Sequence, residues 1–176
     1  MNKDYTHISM VIDRSGSMGH GWSDVVGGYK TTIEEQKAEA GKCTFTVAAF
    51  DNEYTLIEDF TPIQDVESQL KVSPRGSTAL LDAVGKTIVS VGEKLAALPE
   101  SERPIKVIMM IQTDGYENAS KEFSSETLKA LITKQTNDYN WQFMFLGADL
   151  MAVNAAQSWG IHAANTSLYN SANNTA

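Results

Sequence analysis

The sequence predicts an α/β fold with a doubly wound, mostly parallel sheet of about six strands and helices on both faces. Apolar runs of strand length alternate along the chain with segments of helical periodicity. Strands separated by helices in this way pair in parallel through right-handed crossovers. A short turn over residues 51–53 joins two strands directly, so one antiparallel strand is expected at an edge of the sheet.

The first half of the chain is predicted to hold three strands and two helices. His7–Asp13 is almost continuously apolar, as expected of a strand that is covered on both faces. A helix follows over residues 22–40, and two further strands are predicted at Cys43–Phe50 and Tyr54–Phe60. Apolar residues spaced by three or four then predict a helix over Thr78–Leu98, with Thr78 as an ordinary N-cap residue.

The second half repeats the alternation of strand and helix. Ile105–Thr113 is the most apolar run and is predicted to be a central strand. The helix Ser125–Tyr139, capped by its first residue, leads to a strand at Trp141–Ala148. A short helix at Leu150–Trp159 and a short strand within Ile161–Tyr169 complete the predicted sheet.

The composition and charge of the 176 residues exclude several classes of protein. Hydrophobic residues make up 42% and charged residues 20%, which is typical of a soluble globular protein. The net charge of −8 argues against nonspecific binding to nucleic acid or anionic membranes, which requires clustered Lys and Arg. We expect one domain over residues 1–169 and a polar tail over residues 170–176. The first residues lack a signal-peptide pattern, so a cytoplasmic location is expected.

The segment MVIDRSGSMGHGW, from Met10 to Trp22, places an acid, two serines and three glycines directly after an apolar strand. Phosphate binding is disfavoured here. The P-loop pattern would require a lysine where Trp22 stands, and the glycine spacing does not match the dinucleotide-binding fingerprint. Asp13, at the mouth of the turn, would also repel a phosphate.

A serine hydrolase is a second interpretation of the same segment. SGSMG misses the nucleophile-elbow pattern by one glycine, and Ser17 would be the nucleophile. Asp114 and His162 follow Ser17 in the chain order of an α/β-hydrolase triad. This alternative stays open at the level of the sequence.

A metal site is the third interpretation. Asp13, Ser15 and Ser17 place three oxygen-bearing side chains on one loop, and Asp114 ends another strand at the same predicted sheet edge. Hard divalent cations such as Mg²⁺ prefer oxygen ligands, and no Cys or His cluster favours zinc. The three glycines are expected to let this loop turn tightly, although each of these polar residues is also an ordinary turn or capping residue.

Three segments together resemble the von Willebrand factor A domain with its metal-ion-dependent adhesion site (MIDAS): DRSGSM at Asp13–Met18, GSTAL at Gly76–Leu80 and TDG at Thr113–Gly115. The resemblance implies a Rossmann-like fold with strand order 3-2-1-4-5-6 and one antiparallel edge strand. It also implies that Mg²⁺ or Mn²⁺ is the cofactor. The implied metal ligands are Asp13, Ser15, Ser17, Thr78 and Asp114.

The same resemblance implies a protein-binding module and not an enzyme. The metal would capture an Asp or Glu carboxylate of a partner protein. The acidic charge of the chain, and not the resemblance, predicts that neither nucleic acid nor a membrane is a partner. TDGYENAS and WQFMFLGADL are similar to segments of small bacterial and phage members of this class. Glu117 lies on the loop beside the site, where an acid could tune or screen the metal, but it is expected to be a solvated loop acid. A structural or assembly protein with an incidental metal site is a further alternative.

Overall fold

The computed structural model describes residues 1–114, 117–147 and 149–168. Six strands form one sheet in the order β3-β2-β1-β4-β5-β6, and every pair is parallel except β2 with β3. The strands are β1 (Asn2–Asp13), β2 (Lys42–Phe50), β3 (Tyr54–Pro62), β4 (Pro104–Thr113), β5 (Gln142–Gly147) and β6 (Thr166–Leu168). The predicted fold class, strand order and antiparallel edge strand are therefore confirmed.

In the described part of the chain, four α-helices cover the sheet, because each presents one apolar face to the strands. They are α1 (Trp22–Ala38), α2 (Leu80–Ala97), α3 (Ser125–Tyr139) and α4 (Leu150–Ser158). One apolar cluster lies between the sheet and α2, α3 and α4, and a second lies between the sheet and α1. Among the described residues, no helix combines the length and the apolar character needed to cross a membrane.

Two helix starts differ from the prediction. α2 begins at Leu80, and Ala79 stands at its N-cap position, so Thr78 does not cap the helix. α3 is capped by Ser124 and not by Ser125, because the Ser124 side chain accepts a hydrogen bond from the Thr127 N–H.

Among the strands, the largest difference from the prediction is at the start of β1. β1 starts at Asn2, five residues before the predicted start, and the Asn2 N–H donates to the Arg103 carbonyl at 2.8 Å. β6 covers three residues of the predicted last segment. Ala148, Tyr169 and the predicted tail over residues 170–176 lie outside the described residues, so the proposed domain boundary stays a prediction.

The register of the two central strands brings their carboxyl ends together. In the parallel pair β1–β4, Ile12 is opposite Gln112, so Asp13 and Thr113 follow at neighbouring positions on the same edge. Ligands of open α/β sheets bind at this edge, where the strand order reverses. The topology therefore places the loop after Asp13 next to the end of β4, where Asp114 lies.

Candidate metal centre

Asp13 is fully buried at the end of β1, and both of its carboxylate oxygens accept hydrogen bonds. Oδ1 accepts from the Ser15 N–H at 2.7 Å, and Oδ2 accepts from the Thr113 hydroxyl at 2.6 Å. Burial raises the pKa of the Asp13 carboxyl, hydrogen bonds from Thr113 and Ser15 oppose that shift, and the charge of Asp114 adds to it. A carboxylate in this environment is stabilised by a nearby positive charge.

The two serine hydroxyls connect this loop to the loop after β4. Ser15 Oγ lies 3.2 Å from Ser17 Oγ, and the Ser17 hydroxyl donates to Asp114 Oδ1 at 2.9 Å. Ser15 is buried, Ser17 is exposed and Asp114 is half-buried. The cluster therefore reaches from the buried end of β1 to the protein surface.

Thr78 lies on the loop of the second motif, Gly76–Leu80. Main-chain hydrogen bonds join this loop to the loop after β1. The Gly16 N–H donates to the Gly76 carbonyl at 3.0 Å, and the Arg75 N–H donates to the Arg14 carbonyl at 2.7 Å. Thr78 itself is buried. The structure thus assembles the three sequence motifs at one edge of the sheet.

The side chains present at this edge fit a hard divalent cation. The described residues contain no group of three or more His, Cys, Asp and Glu side chains placed to hold a metal. The donor set is instead two carboxylates, from Asp13 and Asp114, together with neutral hydroxyls. An all-oxygen set of this kind suits Mg²⁺ or Mn²⁺. The assignment of the five predicted ligands stays a prediction.

The arrangement does not support a hydrolase triad. In a triad, a histidine lies between the acid and the serine and takes the proton of the serine. Here the Ser17 hydroxyl donates directly to Asp114. His162 is exposed and lies at the N-cap of a short 3-10 turn, Ala163–Asn165, where its carbonyl accepts from the Asn165 N–H.

The glycine that this edge requires for its backbone conformation is Gly76 and not one of the three in the segment from Met10 to Trp22. Gly76 has φ +69°, and a Cβ there would lie 2.3 Å from Asn52 Oδ1. Gly16 and Gly19 do not have positive φ. The expectation that these three glycines are needed for the turn is therefore wrong. The glycine whose backbone conformation other residues rarely adopt is Gly76, in the second motif.

Sequence reasoning missed the part that Thr113 plays. Its hydroxyl fixes the buried Asp13 carboxylate, although the sequence motif treats it as a turn residue. The available signal was its position at the end of a strand predicted to be central, because the carboxyl ends of parallel strands meet at the edge where Asp13 also lies.

Comparisons with known proteins address the fold. No protein-family model matches this sequence, and no curated protein matches it significantly. Among solved structures, proximal thread matrix protein 1 from the mussel byssus, with a zinc-occupied MIDAS motif, aligns over 98% of this chain and 43% of its own. The TM-score is 0.70 and the identity is 17%.

Two further structures are similar. The manganese-loaded TRAP protein of Plasmodium vivax aligns over 98% of this chain and 71% of its own, with a TM-score of 0.67 and 13% identity. The vWF domain of the pilus tip protein Mfa5 from Porphyromonas gingivalis aligns over 99% of this chain and 92% of its own, with a TM-score of 0.64 and 12% identity.

The chain spans about two fifths of the length of the mussel proteins that it matches. At sequence identities this low, the structural similarity establishes the fold alone, and the predicted resemblance is confirmed for the fold. The chain has the fold of the von Willebrand factor A domains.

Proposed function

We propose that this chain is a divalent-metal-dependent protein-binding module, in which Mg²⁺ or Mn²⁺ captures an acidic side chain of a partner protein. The ion would be held by Asp13, Ser15, Ser17, Thr78 and Asp114. The observation that carries the proposal is the hydrogen bond of 2.9 Å between Ser17 and Asp114, which joins two loops that are 97 residues apart. The metal-loaded mussel and Plasmodium structures of the same fold support it.

The chemistry of the donor set supports capture of a further carboxylate. Two carboxylates and neutral hydroxyls would leave a divalent cation electrophilic enough to accept an outside oxygen ligand. The net charge of −8 disfavours acidic partners at the rest of the surface, so the metal would be the point of entry for an acidic side chain. The cytoplasmic location expected from the sequence is part of this proposal.

Thermal unfolding with and without metal tests the first half of the proposal. At metal concentrations well above Kd, the wild-type protein should melt about 5–10 °C higher than in EDTA, because the ion binds only the folded state. Ser17→Ala and Asp114→Ala should abolish the shift. Asp138→Ala, at an exposed position of α3, removes the same charge and should keep it. A wild-type protein that shows no shift with Mg²⁺, Mn²⁺ or Zn²⁺ would refute metal binding.

The capture of a carboxylate needs a separate experiment. Immobilised wild-type protein should retain partner proteins from a host lysate in Mn²⁺ and release them in EDTA, and Asp114→Ala should retain none of them. The interaction should then be lost when single Asp or Glu residues of an identified partner are replaced by Asn or Gln. Retention that persists in EDTA would instead indicate an assembly contact that does not use the metal.

A further inference from the structure

The first turn of α2 is capped by residues from the loop after β4. The N-cap residue, Ala79, has no side chain that can accept a hydrogen bond. The Leu81 N–H donates to Glu117 Oε2 at 2.9 Å, and the Asp82 N–H donates to Ser120 Oγ at 2.9 Å. The first N–H groups of a helix need acceptors from outside the helix, and here a distant loop provides them.

The side chain of Asp82, in the first turn of α2, binds the same loop. Its carboxylate accepts from the N–H groups of Lys121, Glu122 and Phe123, at 2.8, 2.9 and 2.8 Å. The Phe123 ring packs against Gly85 of α2, where a Cβ would lie 2.4 Å from the ring. The loop therefore lies at a fixed position on the helix.

Glu117 also organises its own loop. Its Oε1 accepts from the N–H groups of Ala119 and Ser120, at 3.0 and 2.5 Å, and its Oε2 accepts from the Ser120 hydroxyl at 2.6 Å. The expectation that Glu117 is a solvated loop acid is therefore wrong. Both oxygens are used, one within the loop and one shared with the start of α2.

The contacts of the next residue extend this connection to Thr78. Asn118 Oδ1 accepts from the Thr78 N–H at 2.8 Å, and the Asn118 N–H donates to the Thr78 carbonyl at 3.0 Å. Glu117 follows Asp114 by three residues in the chain. Residues 117–120 are thus hydrogen-bonded to the segment that contains Thr78 and the start of α2.

We propose that Glu117 is a positioning residue of the metal centre, which holds the loop of Thr78 and the loop of Asp114 at a fixed separation. The inference rests on the proposed function, because Thr78 and Asp114 matter together only if both serve one ion. Residues that orient metal ligands typically change metal affinity by tenfold or more when they are replaced.

A pair of variants separates the geometry of Glu117 from its charge. Glu117→Asp keeps the negative charge but shortens the side chain, so it cannot reach the Leu81 N–H. Glu122→Gln removes a charge from the same loop at an exposed side chain that pairs with Lys86 at 3.0 Å. In Mn²⁺ titrations by calorimetry, Glu117→Asp should weaken binding about tenfold. Glu122→Gln should stay within about twofold of the wild-type affinity.

A second measurement examines the protein without metal. In EDTA, amide hydrogen exchange at Thr78 and Leu81 should be faster in Glu117→Asp than in the wild type, whereas the amides of α3 should be unchanged. If Glu117→Asp does not fold, Glu117→Gln replaces it. That variant keeps one acceptor oxygen but directs an NH₂ group at an N–H donor, so it should also weaken Mn²⁺ binding.

The outcomes distinguish the two proposals. A lower melting temperature in EDTA with wild-type Mn²⁺ affinity would overturn the positioning role and leave Glu117 as a residue of structural stability alone. An equal loss of affinity in Glu122→Gln would also overturn it, since any change in this loop would then weaken Mn²⁺ binding and Glu117 would have no specific part. A wild-type protein that does not bind Mn²⁺ would refute the proposed function itself.

Discussion

The hydroxyl of Thr113 donates a hydrogen bond of 2.6 Å to Oδ2 of Asp13, between the carboxyl ends of β4 and β1. Both residues are 0% exposed. The bond fixes the orientation of a carboxylate that burial makes costly to charge. Two neighbouring strands thus determine the geometry of the deepest predicted metal ligand.

Replacement of this hydroxyl tests its contribution. Thr113→Val keeps the shape of the side chain but removes the donor, so the buried Asp13 oxygen loses a partner. We expect the free energy of unfolding in EDTA to fall by about 1–3 kcal/mol, measured by urea denaturation. Thr133→Val, at an exposed position of α3, is the control and should change stability little. Equal stability of the two variants would show that the bond contributes nothing.

Asp114→Asn should have opposite effects with and without metal. The charge of Asp114 disfavours the charged form of the buried Asp13, and the amide oxygen of Asn can still accept from Ser17. In EDTA we therefore expect an increase in stability of about 1 kcal/mol or less. With Mn²⁺ present, the metal-dependent rise in melting temperature should disappear.

The measurements on Asp114→Asn in EDTA and with Mn²⁺ test different parts of this prediction. A variant that is less stable than the wild type in EDTA would show that Asp114 has a structural role beyond its charge. A variant that keeps the full metal-dependent rise would exclude Asp114 as a ligand. The same measurements on Asp138→Asn, with its exposed side chain, control for the loss of one negative charge.

Gly76→Ala should disturb the second predicted metal loop, which contains Thr78. The positive φ of Gly76 disfavours any L side chain, and the added Cβ would meet Asn52 Oδ1 at 2.3 Å. We expect a loss of stability of about 1–3 kcal/mol and weaker Mn²⁺ binding, measured by denaturation and by calorimetry. Gly19→Ala is the matched control, because nothing lies within 4 Å of its Cβ position. If both variants bind Mn²⁺ equally, the second loop does not contribute to the site.

The fold was predictable because buried parallel strands have a distinctive composition. β4 combines apolar residues with a position between two helices, so both its existence and its central place follow from local sequence. Asp13 could be assigned to the sheet edge in the same way, because it follows directly after an apolar strand.

The role of Glu117 could not be predicted in this way, because the hydrogen bond that it accepts from the Leu81 N–H joins residues that are 36 positions apart. Thr78 illustrates the same limit. A threonine before an apolar periodic segment is typical of an N-cap, but the acceptor for the first turn of α2 comes from a distant loop. Local patterns specify elements, whereas these contacts depend on how the elements pack.

The burial of His7 predicts a pH dependence of stability that is independent of the candidate metal centre. It is fully buried in β1, its Nδ1 lies 2.8 Å from Thr44 Oγ1, and its ring stacks on Phe60 at 4.0 Å. Burial lowers the pKa of His7 to about 3, with the charge of Asp59 opposing the shift and that of Lys94 adding to it. The unfolded chain therefore binds a proton below about pH 6.5 that the folded protein does not bind.

Stability should consequently fall as the pH decreases from 6.5 towards 3, by about 1.4 kcal/mol per pH unit from this residue. His7→Gln cannot titrate, so its unfolding free energy should fall less steeply between pH 6 and pH 4, even if the variant is less stable at pH 7. Urea denaturation in EDTA at several pH values measures both slopes. His162→Gln, which removes an exposed histidine, should keep the wild-type slope. Parallel curves for His7→Gln and the wild type would mean that His7 accepts its proton in the folded state.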